Sequence, residues 1–494
     1  MLRGEAGRAS GGTCARAGCD GTLAELADAL VARHGTEPSG FQLINHNEDA
    51  LTWRLALIDS ARGSLDVMTF LWWGDESGDL LLSHVIAAAD RGVKVRLIVD
   101  DMTTIDDGRQ TVLRDVPNAA IDAHPNIALR VFNPWTRRGA AGRAVEFVSD
   151  FDRLNQRMHH KALIADGHAA IVGGRNLGNE YMGLNPTFNF RDLDVLTVGP
   201  AARDVAAVFD LFWNSSWVTP QRELDASGTV AMLDERRAAL RASLADAKVL
   251  AGFPHVPREW SDELASLKTS LHTGSSRMAT DAPDAQKVTH RLRDEVQELW
   301  ASAEKEVLIT NAYVIPDDAA FQRTARELKK DVRFVMLTNS LASTDAAGVH
   351  AHYTDWRARL LEAGVELFEL KHDAKAMGDV ANTGPVKAGY FGLHAKAMVV
   401  DRRHVLIGSM NLDPRSWVHN TEMVMRIDCP ALGEEVARVF EHDVKPANAW
   451  RVELDANGAV QWVSGSDVLH EAPSREGGQF FDELFNHLLP ADLF

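Results

Sequence analysis

The chain has 494 residues, 45% apolar and 25% charged. That excludes a disordered or fibrous protein and leaves material for two or three hydrophobic cores. Its formal net charge of −18 argues against wholesale nucleic-acid binding, which needs a basic excess, and requires any contact with an anionic bilayer to use a local basic or apolar patch.

Cys14, Cys19 and Cys429 are too few for a disulfide framework, so a reducing compartment is expected. The opening MLRGEAGRASGGTCARAGC has basic residues without the apolar run of a secretory signal. No stretch reaches the roughly 20 apolar residues that span a bilayer. The expectation is a protein that is cytoplasmic or peripheral to the inner membrane.

Residues 1–40 read as a flexible tail and a short amphipathic helix carrying Leu23, Leu26, Leu30 and Val31. An α/β rhythm then opens a first domain at 41–220. A helix through Leu51, Leu55 and Ile58 leads to the strand SLDVMTFLWW, then to a helix around LLLSHVIAAAD stopped by Gly92, and to the strand VKVRLIVDD. Residues 221–290 read as an Ala-rich, charge-rich, partly helical connector, with GFPHVPREW and HTGSSRMATDAPDA as breaks. The rhythm returns over 291–446: helix DEVQELWASA, strand EVLITNAYV, helix FQRTARELKK, strand DVRFVMLT. WRARLLEAGVELFEL parallels the earlier segment ending NIALRVFNP, and the pair suggests an internal duplication. Residues 447–494 form an extension with short strand-like pieces and an apolar end containing Phe480, Phe481, Leu484, Phe485, Leu488 and Leu489.

Two matched constellations carry the chemistry. HHKALIADGHAAIVGGRN and LHAKAMVVDRRHVLIGSMN each give His-x-Lys, an Asp after four residues, and a Gly-Gly/Ser-x-Asn close. If the apolar run after each lysine is a strand, His159 shares a face with Lys161 and His394 with Lys396. Asp166-Gly167 is a tight-turn signal, and the returning strand brings Asn176 back near His159. Gly173, Gly174, Gly408 and Ser409 are small enough to let the backbone approach an anion.

A phosphodiester attacked at phosphorus passes through a crowded, negatively charged transition state that fixed cations and amide donors stabilise. Lys161, Lys396, Asn176 and Asn411 would supply them. One imidazole attacks while another protonates the leaving oxygen, so the reaction needs two histidines. Each needs a carboxylate on its other ring nitrogen to fix the tautomer. Aligning RDLDVLTVGP with TEMVMRIDCP on Pro200 and Pro430 matches Asp192 with Glu422 as that orienting pair, with Asp194 as fallback. Asp166 and Asp401 read as turn-forming or salt-bridging. The loop NPWTRRGAAGR, with Trp135, Arg137, Arg138 and Arg143, reads as a solvated loop with a lipid-headgroup contact as the alternative. The apolar C-terminal stretch reads as a helix closing a core, with a membrane interface as the alternative. His46, His84, His350 and His352 have no metal spacing.

The paired motifs, running from about Leu43 to Trp462, resemble the phospholipase D superfamily. GGRNLGNEY, RDLDVLTVGP and DRGVKVRLIVDD look similar to bacterial cardiolipin synthases, especially the C-type branch. The resemblance implies two α/β/α sandwich domains with mixed sheets related by a pseudo-twofold duplication. It also implies a first-motif histidine, here His159, that becomes phosphorylated and a second-motif histidine, His394, that serves as acid and then base. Asp166 and Asp401 would be chiefly structural, and no metal or cofactor is needed. Membrane-anchored synthases begin with transmembrane helices, and this chain lacks them. The expected activity is phosphatidyl transfer to give cardiolipin, with phospholipid substrates, peripheral membrane contact and no nucleic acid. Phospholipid hydrolysis to phosphatidic acid, cleavage of nucleic-acid diesters and a non-catalytic membrane scaffold are the alternatives.

Overall fold

A computed structural model of the chain describes residues 20–101, 115–137, 140–283, 288–289, 291–328 and 331–475. The tail through residue 19, with Cys14 and Cys19, lies outside the described residues, as do Arg138 and the apolar stretch Phe480–Leu489.

The first half contributes β1 (Ser39–Ile44), β2 (Ser64–Thr69), β3 (Lys94–Asp100), β4 (Ile127–Phe132) and β5 (Arg157–Met158). It continues with β6 (Lys161–Ala165), β7 (Ala169–Gly173), β8 (Phe188–Arg191), β9 (Asp194–Val198) and β10 (Val218–Pro220). Eight of these pair in the order β10-β4-β3-β2-β6-β7-β9-β1, in which β4, β3 and β2 are parallel and the other pairings antiparallel.

The second half begins with β11 (His272–Thr280) and the short pair β12 (Ala282–Pro283) and β13 (Val288–Thr289). Then come β14 (Glu306–Asn311), β15 (Arg333–Asn339), β16 (Glu366–Leu370), β17 (Tyr390–Leu393), β18 (Lys396–Val400) and β19 (His404–Gly408). The last are β20 (Asn420–Thr421), β21 (Met423–Asp428), β22 (Ala449–Leu454), β23 (Val460–Ser464) and β24 (Asp467–Leu469). The order β22-β16-β15-β14-β18-β19-β21-β11 repeats the first sheet strand for strand, with β16, β15 and β14 parallel. Registers repeat too: Thr69 faces Lys161 in one sheet and Asn311 faces Lys396 in the other. The duplication is therefore structural as well as sequential.

The segment HTGSSRMATDAPDA, expected to be a break, contains β11. Its start pairs with β1 through His272–Gly274 and its remainder with β21 through Ser275–Thr280, so one strand sews the two sheets together. Met278 is its only large aliphatic residue, and backbone pairing with β1 and then β21 supplies what side-chain periodicity does not. Gly274 is required there, because a Cβ would lie 2.4 Å from the Asp428 carbonyl oxygen.

Both faces of each sheet are covered, and the alternation of side chains along a strand assigns residues to layers. Leu163 joins an outer core while Ala162 and Ile164 join a central one. In the second sheet Met398 and Val400 face an outer core while Ala397 and Val399 face the centre. The helices Pro200–Trp213 and Pro430–Asp443 are sandwiched between the sheets, contributing Phe209, Phe212, Val436 and Phe440 to the central core. Each sheet thus lies in an α/β/α sandwich, and the two share their inner layer. Cys429 lies buried beside this layer, its thiol donating to the Thr273 carbonyl at 3.3 Å.

The motif aspartates hold the ends of parallel strands. Asp166, at φ 55°, and Gly167, at φ 68°, form the tight turn expected between β6 and β7. The Asp166 carboxylate accepts from the backbone N–H groups of Arg62, Gly63 and Ser64, the last two at 2.7 and 2.8 Å. Asp401 does the same for Glu304, Lys305 and Glu306 at 2.8–2.9 Å. Burial pushes the Asp401 carboxyl up, but these three amide donors outweigh it and hold the group below the usual carboxylate range. Asp166→Ala or Asp401→Ala is expected to cost about 1–3 kcal/mol by stranding amide donors at the start of β2 or β14, readable in denaturant unfolding, with kcat of the folded fraction little changed.

Candidate active site

Two small parallel sheets join the halves where the chemistry lies. β5 pairs with β20, setting Met158 opposite Thr421, and β17 pairs with β8, setting Leu393 opposite Arg191. Each histidine follows directly: His159 N–H donates to the Thr421 carbonyl at 2.9 Å and His394 N–H to the Arg191 carbonyl at 2.8 Å. One more residue along the partner strand is Glu422 in the first case and Asp192 in the second.

That register crosses the orienting carboxylates between halves. His159 Nδ1 lies 2.9 Å from Glu422 Oε2, and His394 Nδ1 lies 2.6 Å from Asp192 Oδ2. With Nδ1–H donated to a carboxylate, the Nε2 lone pair of each ring is available for chemistry. Asp194, the fallback, is occupied elsewhere, in ion pairs with Arg54 at 2.9 Å and Arg175 at 3.2 Å.

Both imidazoles are buried and neutral at pH 7. Burial, then Lys161 and Lys396, carries His159 well below its ordinary value. The contribution of Lys396 shows that a lysine of one half acts on the histidine of the other. His394 falls to about 4 through burial and Lys396, against the opposing pull of Asp192. Burial alone would raise Asp192, but His394, Lys396 and Arg175 hold it below the carboxylate range. Glu422 is pushed up to about 7 by burial, opposed by Lys161 and by hydrogen bonds from Ser409, Asn420 and Ser416. The two carboxylates are therefore unlike: Asp192 is firmly ionised and Glu422 is poised near neutrality.

Lys161 and Lys396 are buried, each ammonium donating to the carbonyl of its own motif histidine, Lys161 to His159 at 2.6 Å and Lys396 to His394. Burial lowers Lys396 to about 8 and Lys161 well below its ordinary value, and Glu422 and Asp192 oppose the fall in both. Asn176 accepts from the Leu71 N–H at 3.3 Å and hydrogen-bonds Tyr181, whose ring meets His394 edge-on at 5.1 Å. Asn411 is buried at the matching position of the second half.

The four small residues expected at the phosphate have another use. A Cβ on Gly174 would lie 2.3 Å from Asp192 Oδ1, and on Gly173, 2.0 Å from Asp194 Oδ1. A Cβ on Gly408 would lie 2.2 Å from the Met423 carbonyl oxygen. Ser409 donates its hydroxyl to Glu422 Oε2 at 2.5 Å, and its carbonyl lies 3.0 Å from His159 Nδ1. These positions are small to seat the orienting carboxylates and their strands.

Sequence reasoning missed the aromatic walls. Phe70 meets His159 edge-on at 4.9 Å and lies 5.1 Å from the Lys161 ammonium; Phe190 lies 4.9 Å from His394. The Tyr313 hydroxyl donates to Asp345 at 2.6 Å. Phe70 and Tyr313 follow the ends of β2 and β14, so position just past the carboxyl end of a parallel strand was the available signal. Asp281 was also missed; it accepts from the Glu422 N–H at 3.0 Å. Of the four other histidines, His84 is held by Asp59 at 2.7 Å, and no metal-ligating group of three or more occurs among the described residues.

Comparison with known proteins agrees with this arrangement. The family model described as cardiolipin synthase, PLD-like domain matches residues 55–213 and 296–444, one match per half. The chain is 34% identical to cardiolipin synthase C of Escherichia coli (strain K12), covering 89% of this chain and 92% of that protein. It is 24% identical to the major cardiolipin synthase ClsA of Bacillus subtilis (strain 168), covering 83% and 70% respectively. The crystal structure of phosphatidylserine synthase from Haemophilus influenzae Rd KW20 shares the fold, with a TM-score of 0.56, 14% identity, and coverage of 85% of this chain and 91% of that one. Two copies of one sheet, each carrying half of a shared histidine site, and a family match over both copies lead to one conclusion: the chain belongs to the cardiolipin synthase family of phospholipase D-like proteins.

Proposed function

We propose that the chain is a phosphatidyltransferase that makes cardiolipin through a phosphohistidine at His159, with His394 as acid and then base. The observation that carries this reading is the crossed pair of imidazole–carboxylate contacts, which needs both halves and presents two Nε2 lone pairs in one buried, lysine-lined site. His159 Nε2 attacks phosphorus, the bond to the headgroup oxygen breaks, and His394 gives that oxygen a proton. An acceptor hydroxyl then attacks phosphorus, His394 takes its proton, and the P–N bond breaks. The glycerol end of phosphatidylglycerol as acceptor gives cardiolipin; water gives phosphatidic acid. Lys161 and Lys396 meet the charge on the non-bridging oxygens.

His394 must be protonated for the first step, although burial keeps it neutral in the protein alone. An entering phosphodiester brings a negative charge that offsets the lysines and favours the imidazolium. Binding should therefore take up a proton. Titrating the protein at pH 7 with an unreactive phosphodiester analogue, in buffers of different ionisation enthalpy, is expected to show uptake of about one proton or more in the wild type and clearly less in His394→Ala, where Glu422, near 7, takes up only part of one.

The central test uses labelled phosphatidylglycerol, with single-stranded DNA as the competing substrate. His159→Ala should lose lipid turnover by at least about 10⁴-fold, and His394→Ala by about 10²- to 10⁴-fold while accumulating label on His159. Mass spectrometry should find cardiolipin, and phosphatidylethanol when ethanol is added. Phosphatidic acid alone would favour hydrolysis, and DNA cleavage without lipid turnover would overturn the reading.

The unlike carboxylates and the softened lysine set the pH profile. The ratio kcat/KM should be level between about 4 and 7, where the proton that His394 must gain offsets the one that Glu422 loses, and fall above 7, more steeply once Lys396 loses its proton near 8. Glu422→Gln should tilt the level stretch into a continuous fall, and Lys396→Arg should remove the steeper limb above 8, each at a lower maximum rate.

A further inference from the structure

The helix Ala140–Ser149 is turned inside out. Its acid, Glu146, is buried, accepting from the backbone N–H groups of Thr136 and Arg137 at 3.0 and 2.8 Å and pairing with Arg153 at 2.5 Å. Its three large apolar residues face water: Val148 is 84% exposed, Val145 52% and Phe147 41%. Phe147 meets Phe151 of the next helix, Phe151–Leu154, edge-on at 5.2 Å, so the apolar surface continues along the chain toward His159.

The other half contributes an exposed apolar residue as well. Val418, 50% exposed, ends the helix Pro414–Val418, which starts just after Asn411. Arg415 of that helix donates to Asn155 Oδ1 at 2.9 Å, tying it to the loop that enters β5 and His159. Exposed apolar residues from both halves therefore flank the segments that deliver the site. Charge follows the same pattern. Between Trp135 and Arg153 the sequence carries four arginines against three acids, one of which, Glu146, is buried, a local positive excess in a chain whose net charge is −18; Arg157 lies buried with Asp100 and takes no part in it.

An apolar patch beside basic groups, standing against the sign of the whole protein, fits an anionic lipid interface, where apolar side chains enter the acyl boundary and arginines meet phosphates. We propose that this face docks the protein on an anionic phospholipid bilayer, with Val145, Phe147, Val148 and Val418 entering the interface. The inference rests on the phospholipid reading above, because a substrate that stays in a bilayer must reach His159 from a surface that lies on that bilayer.

The test compares the full chain with Val148→Glu and with the double variant Val145→Glu/Val148→Glu in co-sedimentation with vesicles of phosphatidylglycerol and phosphatidylcholine. Partitioning onto vesicles is expected to fall at least about tenfold, and Val256→Glu, at an exposed valine of the connector, should leave it unchanged. Turnover of vesicle lipid should fall in parallel, while turnover of a short-chain phosphatidylglycerol below its micellar concentration stays within about twofold. Should Val148→Glu fail to fold, Val148→Ser should still lower partitioning, by about threefold. Unchanged partitioning would overturn the proposal. So would a shift from dimer to monomer in Val148→Glu at equal vesicle affinity, which would make the patch a contact between copies. If the unaltered protein turns over neither lipid form, the phospholipid reading fails, and the partition ratio still decides the docking surface.

Discussion

A single register constraint organises the centre of this protein: each motif histidine takes its carboxylate partner from the other half. His159 meets Glu422 because β5 and β20 pair in parallel one residue before it, and His394 meets Asp192 because β17 and β8 do the same. A slip of one residue in either ladder would turn the acid away from the ring, since successive side chains point to opposite faces. Neither half holds a complete site. The shared core and β11, which joins the sheets edge to edge, fix the geometry that makes the crossing hold.

Removing these charged groups from water sets their chemistry. A buried imidazole resists protonation, and two nearby ammonium groups add to that resistance. The same burial weakens the lysines' hold on their protons and pushes Glu422 toward neutrality. Asp192 and Glu422 occupy equivalent places in the duplication yet differ in ionisation. Asp192 has His394, Lys396 and Arg175 around it, whereas Glu422 is held by Lys161 and by the neutral donors Ser409, Asn420 and Ser416. Duplication thus supplies symmetric geometry, and the different neighbours break the symmetry into two unlike electrostatic environments.

The glycines illustrate how a residue type suggests one use and serves another. Small residues next to a candidate phosphate site suggest close approach to the anion. Here Gly173 and Gly174 make room for the Asp194 and Asp192 carboxylates, so a side chain at Gly174 would act on His394 through its orienting acid. Asp194 itself, the fallback in sequence terms, is absorbed by two buried arginines, Arg54 of the helix Asn47–Ser60 and Arg175 of the segment after β7.

The sequence by itself determined the paired histidine–lysine motifs, the duplication and the α/β grammar, because each is written in local spacing. His-x-Lys repeats, alternating apolar runs and the Asp166-Gly167 turn are properties of neighbours along the chain. It also marked Asp192 and Glu422 as partners for the histidines, through their matched distance from Pro200 and Pro430. Only the tertiary structure decided which acid serves which ring, since that depends on pairing between strands hundreds of residues apart. Tertiary structure also made a strand of His272–Thr280, whose polar side chains carry no strand signal but whose backbone pairs first with β1 and then with β21. The aromatic walls of Phe70, Tyr181 and Phe190 are likewise assembled from separate segments, and no spacing in the chain announces a contact that folding alone creates.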